Sequence, residues 1–239
     1  LVCKKENEQI ISKERVANHG EVYTAEREVN AMLDLVKFQT QRIESTFLEP
    51  ACGTGNFLVE ILRRKLDIVV SKYKRKQYEF EFYSIIAVSS LYGIDILSDN
   101  VEKCRERLFD IFNSTYQTYF NKKAKESCKE SVRYILSKNI ILGDALTLKR
   151  VDGSASPIIF CEWTPIGRYY IQRKDYEFAE LLKDKEFENI IEESDHDQMM
   201  IDFGQSDKQL TIDYTQREES IFKHINTYPL QHFLELKDV

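Results

Sequence analysis

The spacing of apolar residues changes period several times along the chain, and each change marks an element. Val29, Met32, Leu33 and Val36 keep helical spacing, and Thr24 stands just before Ala25-Glu26-Arg27-Glu28, so Thr24 reads as an N-cap with acids in the first turn. Thr46-Phe47-Leu48 reads as a first strand. Residues 57–70 and 78–90 read as helices, and Leu91-Tyr92-Gly93-Ile94-Asp95-Ile96 as a second strand. Residues 101–120 form a long helix with Cys104, Leu108, Ile111 and Phe112 on one face. Residues 139–142 and 157–161 read as strands three and four. Strands alternating with helices predict an α/β fold with a doubly wound, mostly parallel sheet. In such a sheet the ligand lies beyond the carboxyl ends of the strands.

After Cys161 the alternation degrades. Residues 176–191 read as an amphipathic helix, 199–203 and 209–214 as a β-hairpin around Gly204-Gln205-Ser206-Asp207-Lys208, 218–226 as a helix and 230–236 as a last strand. The expected organisation is therefore a main domain over residues 1–174 and a short α+β extension over 175–239, which stands apart or completes the same domain. Residues 1–18 are polar, and helical or frayed.

The 239 residues suffice for one sizeable domain, or one with an appendage. An apolar content of 42% beside 31% charged residues is a globular balance, and no apolar run approaches the roughly 20 residues of a membrane span. The N-terminal residues carry no signal-peptide core. Five cysteines (Cys3, Cys52, Cys104, Cys128, Cys161) without a C-x-x-C spacing argue against both a disulfide framework and a zinc ribbon. They fit small packing residues in a reducing, cytoplasmic compartment. His19, His196, His224 and His232 make no metal spacing with acids or cysteines, so no metal is expected. Charge is uneven. Residues 175–239 hold 17 acids and 6 bases, a balance of −11, so the first 174 residues carry +5. The densest basic run, Lys72-Tyr73-Lys74-Arg75-Lys76, is either a solvated face or a contact for phosphates.

The most specific stretch is Leu48-Glu49-Pro50-Ala51-Cys52-Gly53-Thr54-Gly55-Asn56-Phe57-Leu58. It reads as a strand end, a tight glycine turn and a helix start. Glycines let backbone pass close to a ligand, and the helix offers free N–H groups. The acid at the strand tip disfavours a phosphate and suits hydroxyls or an ammonium group. Asp95 and Asp144, the latter in Leu142-Gly143-Asp144-Ala145-Leu146, end the second and third strands in the same way. Three acids at successive strand tips converge on one crevice.

The eleven-residue string resembles motif I of S-adenosyl-L-methionine (SAM)-dependent DNA adenine-N6 methyltransferases of restriction–modification systems. His19-Gly20-Glu21-Val22-Tyr23-Thr24 resembles their motif X, Tyr92 to Ile96 motif II, and Leu142 to Leu146 motif III. The resemblance spans about residues 15–165 and implies a class I, Rossmann-like fold. It implies SAM contacts from Tyr23, Thr24, Glu49, Ala51, Gly53, Gly55, Asn56, Phe57, Asp95, Ile96, Asp144, Ala145 and Leu146. Within that set Glu49 holds the methionine ammonium, Asp95 accepts both ribose hydroxyls, Ile96 packs on the adenine, Asp144 accepts its amino group and Leu146 lines the ring. Each acid also has a structural reading: Glu49 and Asp144 as turn acids, Asp95 as a helix cap, a role that Ser98 or Asp99 fills better.

The family's catalytic Asn/Asp/Ser-Pro-Pro-aromatic motif does not occur, and Phe160-Cys161-Glu162-Trp163-Thr164-Pro165-Ile166 stands at its position. Glu162, Trp163 and Pro165 are the candidate catalytic residues there: Glu162 to accept from an amine, Trp163 to stack on a flipped base. The alternatives are a surface glutamate and a core indole. No target-recognition domain is visible, and an acidic tail is a poor substitute, so DNA recognition is expected to draw on a separate specificity subunit. The expected activity is methyl transfer from SAM to DNA. The alternatives are a catalytically inactive SAM-binding or regulatory subunit, or a methyltransferase acting on RNA, protein or a small molecule.

Overall fold

The computed structural model describes residues 24–182 and 224–238, and the backbone of 201–202. Helix α1 (Glu26–Leu35) buries Val29 and Leu33, and a short α2 (Lys37–Thr40) follows it. β1 (Phe47–Glu49) runs through the glycine turn into α3 (Asn56–Tyr73), and α4 (Gln77–Ser89) leads back to β2 (Leu91–Asp95). α5 (Ser98–Phe120), a 3-10 turn (Asn121–Lys123) and α6 (Glu126–Asn139) make the second crossover, into β3 (Ile140–Asp144). α6 was not anticipated, although Cys128, Val132, Ile135 and Leu136 are all buried at helical spacing along it. β4 (Lys149–Arg150), β5 (Ile159–Ile166), β6 (Tyr170–Glu177), the one-turn α7 (Phe178–Leu181), β7 (Ile201–Asp202), β8 (Asn226–Thr227) and β9 (Gln231–His232) complete the described elements.

β1, β2 and β3 are parallel neighbours, with Glu49 beside Gly93 and Asp95 beside Leu142. β4 and β7 add to the two edges antiparallel, giving the order β4-β3-β2-β1-β7. Side chains alternate between the two faces. Phe47, Leu91, Ile140 and Leu142 join the large core formed with α1 and α3–α6. Leu48, Tyr92, Ile94 and Ile141 face a smaller cluster with Ile158, Phe160 and Phe178.

The fold is a mixed α/β arrangement, but winding over both faces does not appear among the described residues. From β1 to β2 to β3 the chain always steps the same way, and right-handed crossovers then return over one face only. Helices reach the other face once the strand order reverses. Residues 157–161, expected as strand four, do not add a parallel strand to this sheet. Ile159–Ile166 instead pairs antiparallel with Tyr170–Glu177 over eight residue pairs. The turn between them holds Gly167 and Tyr169 at φ +60 and +72°. Pairing across a three-residue turn is local, whereas a parallel strand needs a long crossover.

This hairpin sets the position of everything on it. Ile158 lies against Gly143 at the carboxyl end of β3, where a Cβ on the glycine would meet its Cδ1 at 2.7 Å. Trp163 reaches Asn139, the residue before β3 begins. β5 therefore descends the rear of the sheet from its carboxyl end to its amino end. Residues 224–238 close the far side of the hairpin, with β8 and β9 both on β6. Arg173 bonds Asp175 (2.7 Å), Tyr134 (2.6 Å) and Asp238 (3.1 Å), tying strand, helix and C-terminal segment together. The expected boundary at 174/175 falls inside β6. Glu177 is strand and Phe178–Leu181 helix, in place of one helix from 176. The expected hairpin over 199–214 lies outside the described residues apart from 201–202, and so does most of the expected helix over 218–226.

Candidate functional site

The chain leaves β1 at Glu49 and turns through Pro50 to Gly55 before α3 begins. Gly53 and Gly55 have φ of +51 and +83°. A Cβ on Gly55 would stand 2.5 Å from Cys104 Sγ, so only glycine lets this turn close onto α5. A Cβ on Gly53 would meet nothing within 4 Å, so the backbone there borders open space. Ala51 is exposed, whereas Phe57 and Cys52 are buried. The first N–H groups of α3 have no acceptor within the helix and lie at the end of this turn.

The parallel register fixes the acids. Glu49 pairs with Gly93, Asp95 lies two residues beyond Gly93, and Asp144 lies two beyond Leu142, the partner of Asp95. All three share the parity of the helix-covered face. Strand spacing and rise then set them on a diagonal with about 8 Å between neighbouring Cα atoms. Only an elongated ligand can touch all three.

Their environments differ. Glu49 is 6% exposed, and its Oε2 is buried without a hydrogen-bond partner. Burial pushes its carboxyl well above the ordinary range, and Cys104 and Asp95 add to the shift. Asp95 is engaged at both oxygens: Oδ2 accepts from the Gly53 N–H (2.8 Å), and Oδ1 accepts from the Leu97 N–H (2.9 Å) and Asn100 Nδ2 (3.2 Å). It thus fastens the glycine turn and also bonds the N–H of Leu97, the cap position of α5, where no side-chain cap bond occurs. Asp144 closes its own turn, accepting from the Leu146 N–H and Thr147 Oγ1 at 2.9 Å each, which holds its carboxyl below the ordinary range. Ile96 is 46% and Leu146 95% exposed beside these acids, with Ala145 half-buried.

Further groups hold the turn from below. Arg107 Nη1 donates to Thr54 O (2.7 Å), Thr54 Oγ1 (3.0 Å) and Asn56 Oδ1 (2.8 Å), and Asn56 Nδ2 donates to Thr24 O (3.2 Å). Thr24 thereby joins the site, although the N-cap of α1 is Ala25 and no side chain caps it. Arg107 escaped notice in the sequence because a cation on a long helix normally marks a solvated face. Cys52 lies under the same turn, and its thiol is pushed well up, first by the contact with Cys104 and then by burial. The four described cysteines are all free and buried.

Other expected site residues lie elsewhere. Tyr23 and the rest of 19–23 are outside the described residues. Trp163 is 6% exposed, donates from Nε1 to Asn139 Oδ1 (2.9 Å) and meets Tyr134 edge-on. Glu162 accepts from Tyr176 Oη (3.1 Å), and Pro165 pairs with Ile171 in the hairpin. All three follow β5 toward the amino end of the sheet, opposite the acids. Lys72, Lys74, Arg75 and Lys76 lie at the C-terminal end of α3 and the turn after it, beside the Asn121–Lys123 turn through the bond from Gln77 Nε2 to Lys123 O (2.6 Å). The 18 residues of α3 put them about 27 Å from the glycine turn. Among the described residues no group of three His, Cys, Asp or Glu side chains could hold a metal ion, and no helix is long and apolar enough to cross a membrane.

The family described as "MmeI, DNA-methyltransferase domain" has a model that matches residues 23–155, more than half of the chain. The match begins beside Thr24 and ends before β5, so it covers the parallel layer and its helices. No curated protein and no solved structure matches the chain.

Proposed function

This chain belongs to the MmeI DNA-methyltransferase domain family, and from that premise we propose that it binds SAM at the tips of β1–β3 and methylates the exocyclic amine of adenine in DNA, within a restriction–modification system. The observation that carries the cofactor assignment is the orphaned Oε2 of Glu49. A buried carboxylate without a donor is costly, and a ligand ammonium group supplies both charge and N–H. The remaining groups fit the rest of the molecule. The open backbone at Gly53 gives room for close approach. Asp95 offers acceptors for ribose hydroxyls, and Ile96 and Leu146 offer exposed apolar surface for an adenine ring, with Asp144 at its edge. Thr24 and the first N–H groups of α3 suit a carboxylate. When bound, SAM supplies a methyl group already activated on a sulfonium.

Glu162, Trp163 and Pro165 are left out of the proposed site. They sit on the wrong end of the sheet, and a buried indole bonded to Asn139 has no free face for a base. The amine-accepting group and the target-recognition surface are then supplied from outside the described residues, by the rest of the protein or by a specificity partner. Radiolabelled methyl transfer to unmethylated DNA, with and without the partner, tests the activity. No incorporation under either condition rejects it. One observation favours a second reading, a SAM-binding subunit without turnover: the sequence has no Pro-Pro, and the strand that would present it pairs in a hairpin instead. SAM affinity in the absence of any methyl transfer would select that reading.

A further inference from the structure

We infer that Arg107 is a positioning residue for the cofactor turn, and that α5 acts as the template on which the turn is set. This rests on the SAM-binding reading above. Asn100, Cys104 and Arg107 follow at intervals of four and three, so they share one face of α5. Each touches a different part of the candidate site. Asn100 Nδ2 bonds Asp95 Oδ1, Cys104 Sγ fills the space against Gly55, and Arg107 Nη1 bonds Thr54 and Asn56.

The turn needs such a template. It contains two glycines with positive φ, and glycine supplies no side chain to anchor its own backbone. Asp95 fixes it at the Gly53 N–H. Arg107 fixes the next residue through both the Thr54 carbonyl and hydroxyl, and the first residue of α3 through Asn56 Oδ1. Asn56 passes the contact on to the Thr24 carbonyl. One guanidinium nitrogen therefore sets the relative positions of the glycine turn, the start of α3 and the segment that leads into α1. All three belong to the proposed cofactor site, and Arg107 itself need not touch the ligand. It also lines a cleft of about 310 Å³ behind the turn with Glu26, Glu60 and Arg63, so solvent reaches it from that side.

The test uses the full chain, with Arg107→Met to keep the apolar stem, Arg107→Lys to restore a cationic donor, and Asn56→Ala as an independent break in the same chain of bonds. Titration calorimetry with SAM should show R107M and N56A binding at least about tenfold more weakly than wild type, with R107K recovering part of the loss. Hydrogen exchange of ligand-free protein should be faster in R107M at the Gly55 and Val59 amides, which bond the Cys52 and Gly55 carbonyls, while amides of β2 and β3 keep their protection. Unchanged exchange at the turn overturns the positioning role whether or not SAM binds. SAM affinity within twofold of wild type in R107M, or R107K no better than R107M, overturns it as well. Failure of the wild-type chain to bind SAM at all refutes the functional reading instead, and the exchange comparison then judges Arg107 alone.

Discussion

Replacing Glu49 with Gln should stabilise the protein and, on the proposed assignment, weaken its binding of SAM. The carboxyl is buried, Oε2 has no donor among the protein's own groups, and the neighbouring Asp95 adds repulsion. Leaving a buried group unpaired costs about 1–3 kcal/mol, more when it is charged, and an unpaired amide costs less than an ionised carboxylate. Removing the charge should therefore return on the order of 1–2 kcal/mol at neutral pH. For a chain of this size each kcal/mol moves the melting temperature by about 2–4 °C. The pH dependence has a defined sign. A carboxyl whose native pKa is raised binds more protons folded than unfolded, so wild-type stability falls as pH rises from about 4.3, the ordinary glutamate value, through the raised native value. Glu49→Gln removes that decline. Binding should move the other way: loss of a charge-assisted bond to the ammonium costs about 1.5–3 kcal/mol, roughly ten- to a hundredfold in Kd. Differential scanning fluorimetry from pH 4 to 8, with and without SAM, reads both effects. A variant that melts at or below wild type at pH 7 without ligand would refute the burial argument, and unchanged SAM affinity would refute the assignment of the ammonium.

Three further outcomes follow from the same geometry. Gly55→Ala should cost about 1–2 kcal/mol for its left-handed backbone and more for the clash with Cys104; adding Cys104→Ala should recover only the second part in urea unfolding, and additive losses would contradict the packing described. Trp163→Phe strands the Asn139 carbonyl and should lower stability by about 1–3 kcal/mol with SAM affinity unchanged, whereas a loss of SAM binding by the folded variant would return Trp163 to the site. Asp95→Asn should weaken SAM binding and also speed exchange at the Gly53 amide in the empty protein; if only one of the two changes, Asp95 does not serve both purposes.

Much of the parallel layer was legible in the sequence because its signals are local. Apolar Phe47 and Leu48 running into Glu49 and two glycines specify a strand, a turn and a helix start within a dozen residues. The acids at 95 and 144 could be placed because each ends a short apolar run. What escaped were pairings with distant or unusual partners. Residues 157–161 look the same whether they enter a parallel sheet or a hairpin, since alternation carries no direction. The deciding turn holds Tyr169 at positive φ, a conformation that the residue type does not announce. The helix at Glu126–Asn139 does carry a local signal, since Cys128, Val132, Ile135 and Leu136 stand at i, i+4, i+7 and i+8. In the sequence Asp95 fits a ribose ligand or a helix cap, and Ser98 or Asp99 fits the cap better. The bond of Asp95 to Gly53, 42 residues earlier, depends on two segments meeting, and nothing within either segment records that meeting.

That bond has a thermodynamic consequence. Asp95 is no idle acceptor waiting for a hydroxyl, because every donor it now holds belongs to the protein itself. Oδ1 already holds two donors and Oδ2 one, so a sugar hydroxyl would find its lone pair on Oδ2, the oxygen that also holds the Gly53 peptide. A ligand held there would share its acceptor with the backbone of the loop, so the strength of one contact is coupled to the strength of the other.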